Sequence, residues 1–152
     1  SDLRQALCKD IDGIISVVAK AKSQQYKREG DIKLNIKDAS IRVAKADLVK
    51  IVEELIDNAL KFSEEKASIF IETQSTETSV ILKVTDFGRG IKPEDLKEVG
   101  AYMQFERALY EQQGLGLGLV IVKRLVELYG GQFFIQSEVG QGTEIAIALP
   151  KV

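Results

Sequence analysis

The sequence predicts a single α/β domain, and three observations predict it. Segments with the three- and four-residue apolar spacing of helices are interleaved with segments that alternate at every second residue, as strands do. The chain has 152 residues, the length of one domain. Its 45% apolar and 29% charged residues supply a core and a solvated surface, which excludes a disordered chain.

Each element follows from its local pattern. Leu3, Leu7, Ile11, Ile14, Ile15 and Val18 recur at helical steps, so a helix is expected from Leu3 to about Arg28, ended by Gly30. Ile32, Leu34 and Ile36 alternate with Lys33, Asn35 and Lys37 as in a half-buried strand. Asp38-Ala39-Ser40 reads as a turn, and Ile41-Arg42-Val43 as a short second strand. Asp47 is an N-cap or first-turn acid for a helix from about Leu48 to Phe62, stopped by Ser63-Glu64-Glu65. Strands over 68–73 and 80–85 flank Ser75-Thr76-Glu77-Thr78 as an antiparallel hairpin. The stretch from Asp86 to Gln113 has weak periodicity, with room for a short helix over 94–99. At roughly 28 residues it is long for a connection unless it has a function. Leu115 to Tyr129 is a strongly apolar helix ended by Gly130-Gly131. Strands over 132–137 and 143–149 close the chain around Val139-Gly140-Gln141-Gly142.

Composition narrows the chemistry. The 21 basic and 23 acidic residues leave a net charge of −2, against the basic excess of a nucleic-acid binder. Cys8 is the one cysteine and has no disulfide partner in the chain, which points to a reducing or indifferent compartment. There is no histidine, which removes imidazole acid–base work, imidazole metal ligation and every Ser-His or Cys-His nucleophile pair. No apolar run approaches the ~18 residues of a membrane span. The polar start Ser1-Asp2-Leu3-Arg4 does not read as a secretory signal, and Ser1 in place of Met reads as the start of a fragment.

Four constellations remain. In Glu54-Leu-Ile-Asp-Asn58-Ala-Leu-Lys61 the helical step of ~100° puts Glu54, Asn58 and Lys61 within about 60° of one another. The stripe of Leu48, Val52, Leu55 and Ala59 lies roughly 120° away, and Lys50, Glu53 and Asp57 mark the outward face. Asn is a poor helix former, so its mid-helix position calls for a reason. A neutral oxygen ligand for Mg²⁺ is one; a solvated face with an Asp57–Lys61 ion pair is the other. Asp86-Phe-Gly88-Arg-Gly90 ends an apolar strand with an acceptor and a close-turning loop, or is a plain Asp-Gly turn. It also spells the metal-binding triplet of eukaryotic-type protein kinases, a reading that the missing histidine excludes. Gly114-Leu115-Gly116-Leu117-Gly118 opens a helix, where free amides and the helix dipole favour phosphate, or it serves close packing. It matches neither the Rossmann nor the Walker A pattern. Tyr102 to Arg107 places an arginine in the irregular stretch, either to stabilise phosphoryl charge or simply solvated.

In this order and spacing, the four together resemble the ATP-binding catalytic domain of two-component sensor histidine kinases, in the superfamily of DNA gyrase, a heat-shock chaperone and mismatch-repair ATPases. Glu54 to Ser63 is similar to the N box, Asp86 to Ile91 to the G1 box, Tyr102 to Arg107 to the F box and Gly114 to Leu119 to the G2 box. Gly140-Gln-Gly142-Thr143 resembles the final glycine-threonine turn. Two positions depart: Arg89 stands where a small residue or proline is common, and Leu115 where Thr or Ser is.

The resemblance implies an α/β (α+β) two-layer sandwich, a mixed and largely antiparallel sheet with helices on one face and an ATP lid. It implies a lead-in helix over 1–29 and the catalytic domain over 30–152. The implied cofactors are ATP and Mg²⁺. Asn58 would coordinate the metal, Lys61 contact phosphate, and Phe62 border the nucleotide. Asp86 would bond the adenine amine beside a wall shaped by Gly88 and Gly90. Gly114, Leu115, Gly116, Leu117 and Gly118 would form the lid hinge at the phosphates, and Thr143 would complete the nucleotide-binding set. Glu54 and Arg107 would be catalytic, the first toward the nucleophile and the second at the γ-phosphate. The implied reaction is γ-phosphoryl transfer to a histidine on a dimerisation domain of the same parent protein, with a response regulator downstream. Nucleic acid and direct membrane contact are not expected. The domain would be cytoplasmic, in a parent that is soluble or membrane-anchored. Alternatives from the same superfamily are a nucleotide-binding switch or slow ATPase, an anti-sigma-type Ser/Thr kinase, and a degenerate docking module.

Overall fold

The computed structural model describes residues 6–91 and 118–152. Along them run α1 (Ile11–Gln25), β1 (Ile32–Asn35), α2 (Lys45–Phe62), β2 (Ile69–Ser75), β3 (Ser79–Asp86), α3 (Gly118–Leu128), β4 (Gln132–Glu138) and β5 (Gly142–Pro150). The expected short helix over 94–99 lies outside the described residues, as do Arg107, Gly114, Leu115, Gly116 and Leu117.

The strands form one sheet in the order β1-β2-β3-β5-β4. Only β1 and β2 pair in parallel. They are also the pair joined through a helix, α2, as a parallel connection requires. The sheet is therefore mixed and largely antiparallel, with the helices packed on one face, as expected. Burial along β3 alternates strictly: Val80, Leu82, Val84 and Asp86 turn inward. On β5 the inward set is Thr143, Ile145, Ile147 and Leu149. Asp86 and Thr143 are partners in register, so one alternation carries the apolar core and ends it on two polar side chains.

α2 is the centre of the helical layer. Its apolar stripe Leu48, Val52, Leu55 and Ala59 is buried as predicted. Ile51, Ile56 and Leu60 are buried as well, because α2 packs on α1, α3 and the sheet together. Each of the buried Val, Leu and Ile side chains contributes roughly 1.5–3 kcal/mol.

Several expectations are corrected. α1 starts at Ile11, not Leu3: the Asp10 carboxylate accepts from the Gly13 amide at 3.0 Å and caps the helix there. The preceding Cys8 instead forms an antiparallel bridge with Ile41. α1 also ends before Gly30. Lys27 takes the left-handed conformation (φ 56°), and the amides of Lys27 and Arg28 close on the carbonyls of Gln24 and Ser23 in a Schellman pattern. Ile41-Arg42-Val43 is not a strand; Ile41 makes isolated bridges to Cys8 and Lys151. β1 is an edge strand, so Leu34 is exposed rather than half-buried.

Arg28 is the unforeseen anchor of this layer. It is 5% exposed. Its guanidinium donates to the carbonyls of Leu60, Ser63, Glu64 and Ala67 at 2.7–3.1 Å, and its Nε pairs with Asp31 at 2.7 Å. A planar fork with five donors is suited to this task. It satisfies the free carbonyls at the end of α2 and fixes the chain that follows.

Candidate functional site

The site begins on α2. Asn58 is 9% exposed, and its Oδ1 is buried with no hydrogen-bond partner among the described residues. Leaving a buried acceptor unpaired costs about 1–3 kcal/mol, so this oxygen is open to a group beyond the described residues. One turn earlier, Glu54 is held through one carboxylate oxygen. Oε1 pairs with Lys50 Nζ at 2.8 Å. Oε2 lies against the first residue of α3, where a Cβ on Gly118 would come within 2.5 Å of it. The packing of α2 on α3 thus sets Gly118 beside Glu54, one turn before Asn58. Lys61, one turn on, is exposed, with its ammonium 5.6 Å from the centre of the Phe62 ring.

Asp57 does not face outward to solvent. Lys22 Nζ and the Tyr26 hydroxyl bond its carboxylate at 3.1 and 3.2 Å, tying α1 to α2. Burial, and then the Asp57 charge, push the Tyr26 phenol above its ordinary range.

The second half of the site is the end of β3. Asp86 is 5% exposed, and its Oδ1 accepts from the Gly88 amide at 2.8 Å. Burial pushes its carboxyl above the ordinary value of 3.8, while the amides of Gly88 and Thr143 pull the other way. The loop after Asp86 is wedged between two backbones. A Cβ on Gly88 would stand 2.1 Å from the Phe62 carbonyl oxygen, and one on Gly90 2.2 Å from that of Glu138. Only glycine fits either approach. The Arg89 amide donates to that Phe62 carbonyl at 3.2 Å, and the Arg89 carbonyl accepts from the Gly140 amide at 2.9 Å. The end of α2, the loop and the β4–β5 turn are therefore locked to one another.

Thr143 sits beside Asp86, but its hydroxyl is engaged within the protein. Ser137 Oγ accepts from the Ile91 amide at 2.7 Å and donates to the Gly142 carbonyl at 3.0 Å. The remaining 2.7 Å contact, with Thr143 Oγ1, must then use the threonine proton. Ser137, Lys50, Arg28 and Arg89 are the contributors that sequence reasoning missed. Lys50 and Glu54 had a readable signal in their four-residue spacing; each of the other three also bonds a chain segment far away in sequence.

Two of the cavities among the described residues differ in their relation to the site. One of about 480 Å³ runs between α1 and the first half of α2, lined by Ile14, Val17, Val18 and Val49 among others, and touches none of the predicted site residues. The other, of about 530 Å³, is reached from outward residues such as Thr85, Gln136 and Glu144, and extends to Asp86 and Thr143. Among the described residues no helix is long and apolar enough to cross a membrane.

Comparison with known proteins gives a consistent answer. The sequence profile of the family described as histidine kinase-, DNA gyrase B- and HSP90-like ATPase matches residues 43–152. The chain is 36% identical over 104 residues to the histidine protein kinase DivJ of Caulobacter vibrioides, covering 68% of this chain and 17% of that protein. It is 33% identical over 150 residues to the sensor protein SrrB of Staphylococcus aureus, covering 94% of this chain and 26% of that protein. It thus spans about a quarter or less of the length of these relatives. Among solved structures, the mycobacterial sensor histidine kinase MprB superposes with a TM-score of 0.80 at 25% identity, covering 97% of each chain. Full-length ShkA in complex with AMPPNP superposes at 0.76 with 27% identity over 96% of this chain and 32% of that one. The chain belongs to the histidine kinase-, DNA gyrase B- and HSP90-like ATPase family, as a catalytic domain of the histidine kinase branch.

Proposed function

We propose that this domain binds Mg·ATP with adenine against Asp86 and the triphosphate beside Asn58, and passes the γ-phosphoryl group to a histidine on a dimerisation domain of its parent protein. A response regulator then receives the group. The observation that carries the reading is the buried, unpartnered Oδ1 of Asn58. A neutral oxygen on a helix face suits Mg²⁺, which takes few protein ligands and otherwise keeps phosphates and waters. Bound there, Mg²⁺ supplies charge neutralisation for the triphosphate.

The chain's own residues do the rest. Asp86 accepts from the exocyclic amine of adenine while the Gly88 amide fixes its orientation. Guanine presents a carbonyl at that position, so its complex would leave two acceptors facing each other, which is the basis of base selection. Gly88 and Gly90 shape that wall, Phe62 borders the base, Lys61 reaches a phosphate, and Thr143 supports Asp86 through its backbone amide. Gly114 to Gly118 hold the phosphates, and Arg107 meets the γ-phosphate. The nucleophile comes from outside, because the chain has no histidine. An imidazole nitrogen forms the new P–N bond as the bond from the γ-phosphorus to the bridging oxygen breaks. ADP leaves with that electron pair, and Glu54 takes the ring proton. Such catalysis is mainly positioning and charge stabilisation.

The test uses labelled Mg·ATP with the isolated domain and a separately produced phosphoacceptor hairpin of its parent. The expected result is nucleotide binding without stable self-labelling, and an acid-labile, base-stable label on the hairpin. Robust self-labelling on a hydroxyl would favour the anti-sigma-type kinase. Tight ATP binding with no transfer to the cognate hairpin would favour the switch.

A further inference from the structure

Arg89 ties two neighbouring segments together by backbone and by side chain. Its amide donates to the Phe62 carbonyl at 3.2 Å, and its carbonyl accepts from the Gly140 amide at 2.9 Å. Its guanidinium carbon lies 4.2 Å from the centre of the Phe62 ring. The first two contacts are made by backbone and would persist with other side chains. The third belongs to arginine.

Phe62 needs such a contact. It is the last residue of α2, so no further helical turn packs against its ring. It is half-buried, with part of the ring against the core. A guanidinium plane laid over an aromatic face adds electrostatic attraction to contact area, and it restricts the ring's rotamers. The Lys61 ammonium lies farther away, at 5.6 Å from the same centre.

We propose that Arg89 is a positioning residue for nucleotide binding: its side chain holds the Phe62 ring in the orientation that receives the nucleotide. The proposal rests on the ATP-site reading above. Arg89 acts through Phe62 and makes no bond to the transferred group. It couples the adenine wall to the end of α2 by a side chain, in addition to the backbone contacts that would form with most residues at this position.

The test is a double-mutant cycle read by calorimetry with Mg·AMPPNP, on the parent chain, Arg89→Ala, Phe62→Leu and the double variant. Arg89→Ala keeps both backbone hydrogen bonds. It is expected to weaken binding about two- to five-fold, the strength of an exposed cation–π contact, with its unfolding midpoint near the parent's. In the Phe62→Leu background, Arg89→Ala is expected to have no further effect. An independent signature is the ring-current shift of the Arg89 side-chain protons in NMR spectra, present in the parent and lost in Phe62→Leu. Effects that simply multiply would overturn the proposal, because arginine would then act by its charge alone. Equal affinity of the parent and Arg89→Ala would also overturn it. If Asp86→Asn weakens binding while Arg89→Ala does not, the ATP-site reading stands and the Arg89 proposal falls. If the parent itself does not bind Mg·AMPPNP, both fall.

Discussion

The two ends of the site are built differently. At the Asp86 end, polar groups are paired within the protein: Gly88 and Thr143 amides on the carboxylate, Ser137 on Thr143 and Ile91, Phe62 and Gly140 on Arg89. At the α2 end, Glu54 is held by Lys50 at 2.8 Å, but the Asn58 Oδ1 one turn on is buried without a partner among the described residues. On the function proposed above, the first end is a finished wall that would select a base, and the second carries the cost of an unmade bond that metal and triphosphate would offset. Selectivity would then be set before binding, and the groups closest to the chemistry completed by the ligand.

The difference can be broken at its strongest point first. Asn58→Ala is expected to lower phosphoryl transfer on the order of 100-fold or more. The same change removes a buried unpaired acceptor and a poor helix former. The unfolding midpoint of the nucleotide-free protein is therefore expected to stay or rise. A large fall in that midpoint would make Asn58 structural. Next, Asp86→Asn is expected to weaken ATP binding by roughly 1–3 kcal/mol, with GTP a poor ligand of the parent. Equal ATP and GTP affinities by calorimetry would break the adenine assignment. Gly118→Ala sharpens the other end. The added Cβ would displace Glu54 Oε2, so transfer to the hairpin is expected to fall about 10-fold, with a smaller change in ATP affinity. An unchanged transfer rate would remove Glu54 from the mechanism.

The smallest effect is a pH dependence. Burial raises the Asp86 pKa in the folded state above its unfolded value. Between the two values the folded protein holds more of the proton, so stability falls as pH rises through that window. Asp86→Asn has no such term. Relative to that variant, the parent is therefore expected to gain stability as pH is lowered from about 7 toward about 4, measured as the difference in unfolding midpoints. A difference that is flat with pH would mean the carboxylate is not desolvated.

The same contrast separates what could be read from the sequence. The Glu54, Asn58 and Lys61 face was legible because a helical period relates those positions and the apolar stripe fixes its orientation. The two hairpins were legible from alternation; the resemblance implied a mixed sheet without naming the strands that pair in parallel. What could not be read depends on partners distant in sequence. Leu3 and Leu7 continue the apolar period of α1, but the Asp10 side chain starts the helix later. Gly30 is the better stop signal, yet Lys27 adopts the left-handed turn. Asp57 has the period of a surface residue, until α1 supplies Lys22 and Tyr26. Arg28 has a local signature only in its three-residue spacing to Asp31, since the carbonyls it anchors lie more than thirty residues away.

The central claim is that Asn58 completes the metal site when nucleotide binds. It is tested most directly by adding Mn²⁺ in place of Mg²⁺ to the nucleotide complex and following paramagnetic broadening in NMR spectra. The Asn58 side-chain amide is expected to broaden first, with Gly88, beside Asp86, affected far less. Asn58→Ala is expected to lose the metal dependence of nucleotide affinity. Uniform broadening across the site, or an Asn58→Ala protein with the parent's metal dependence, would contradict it.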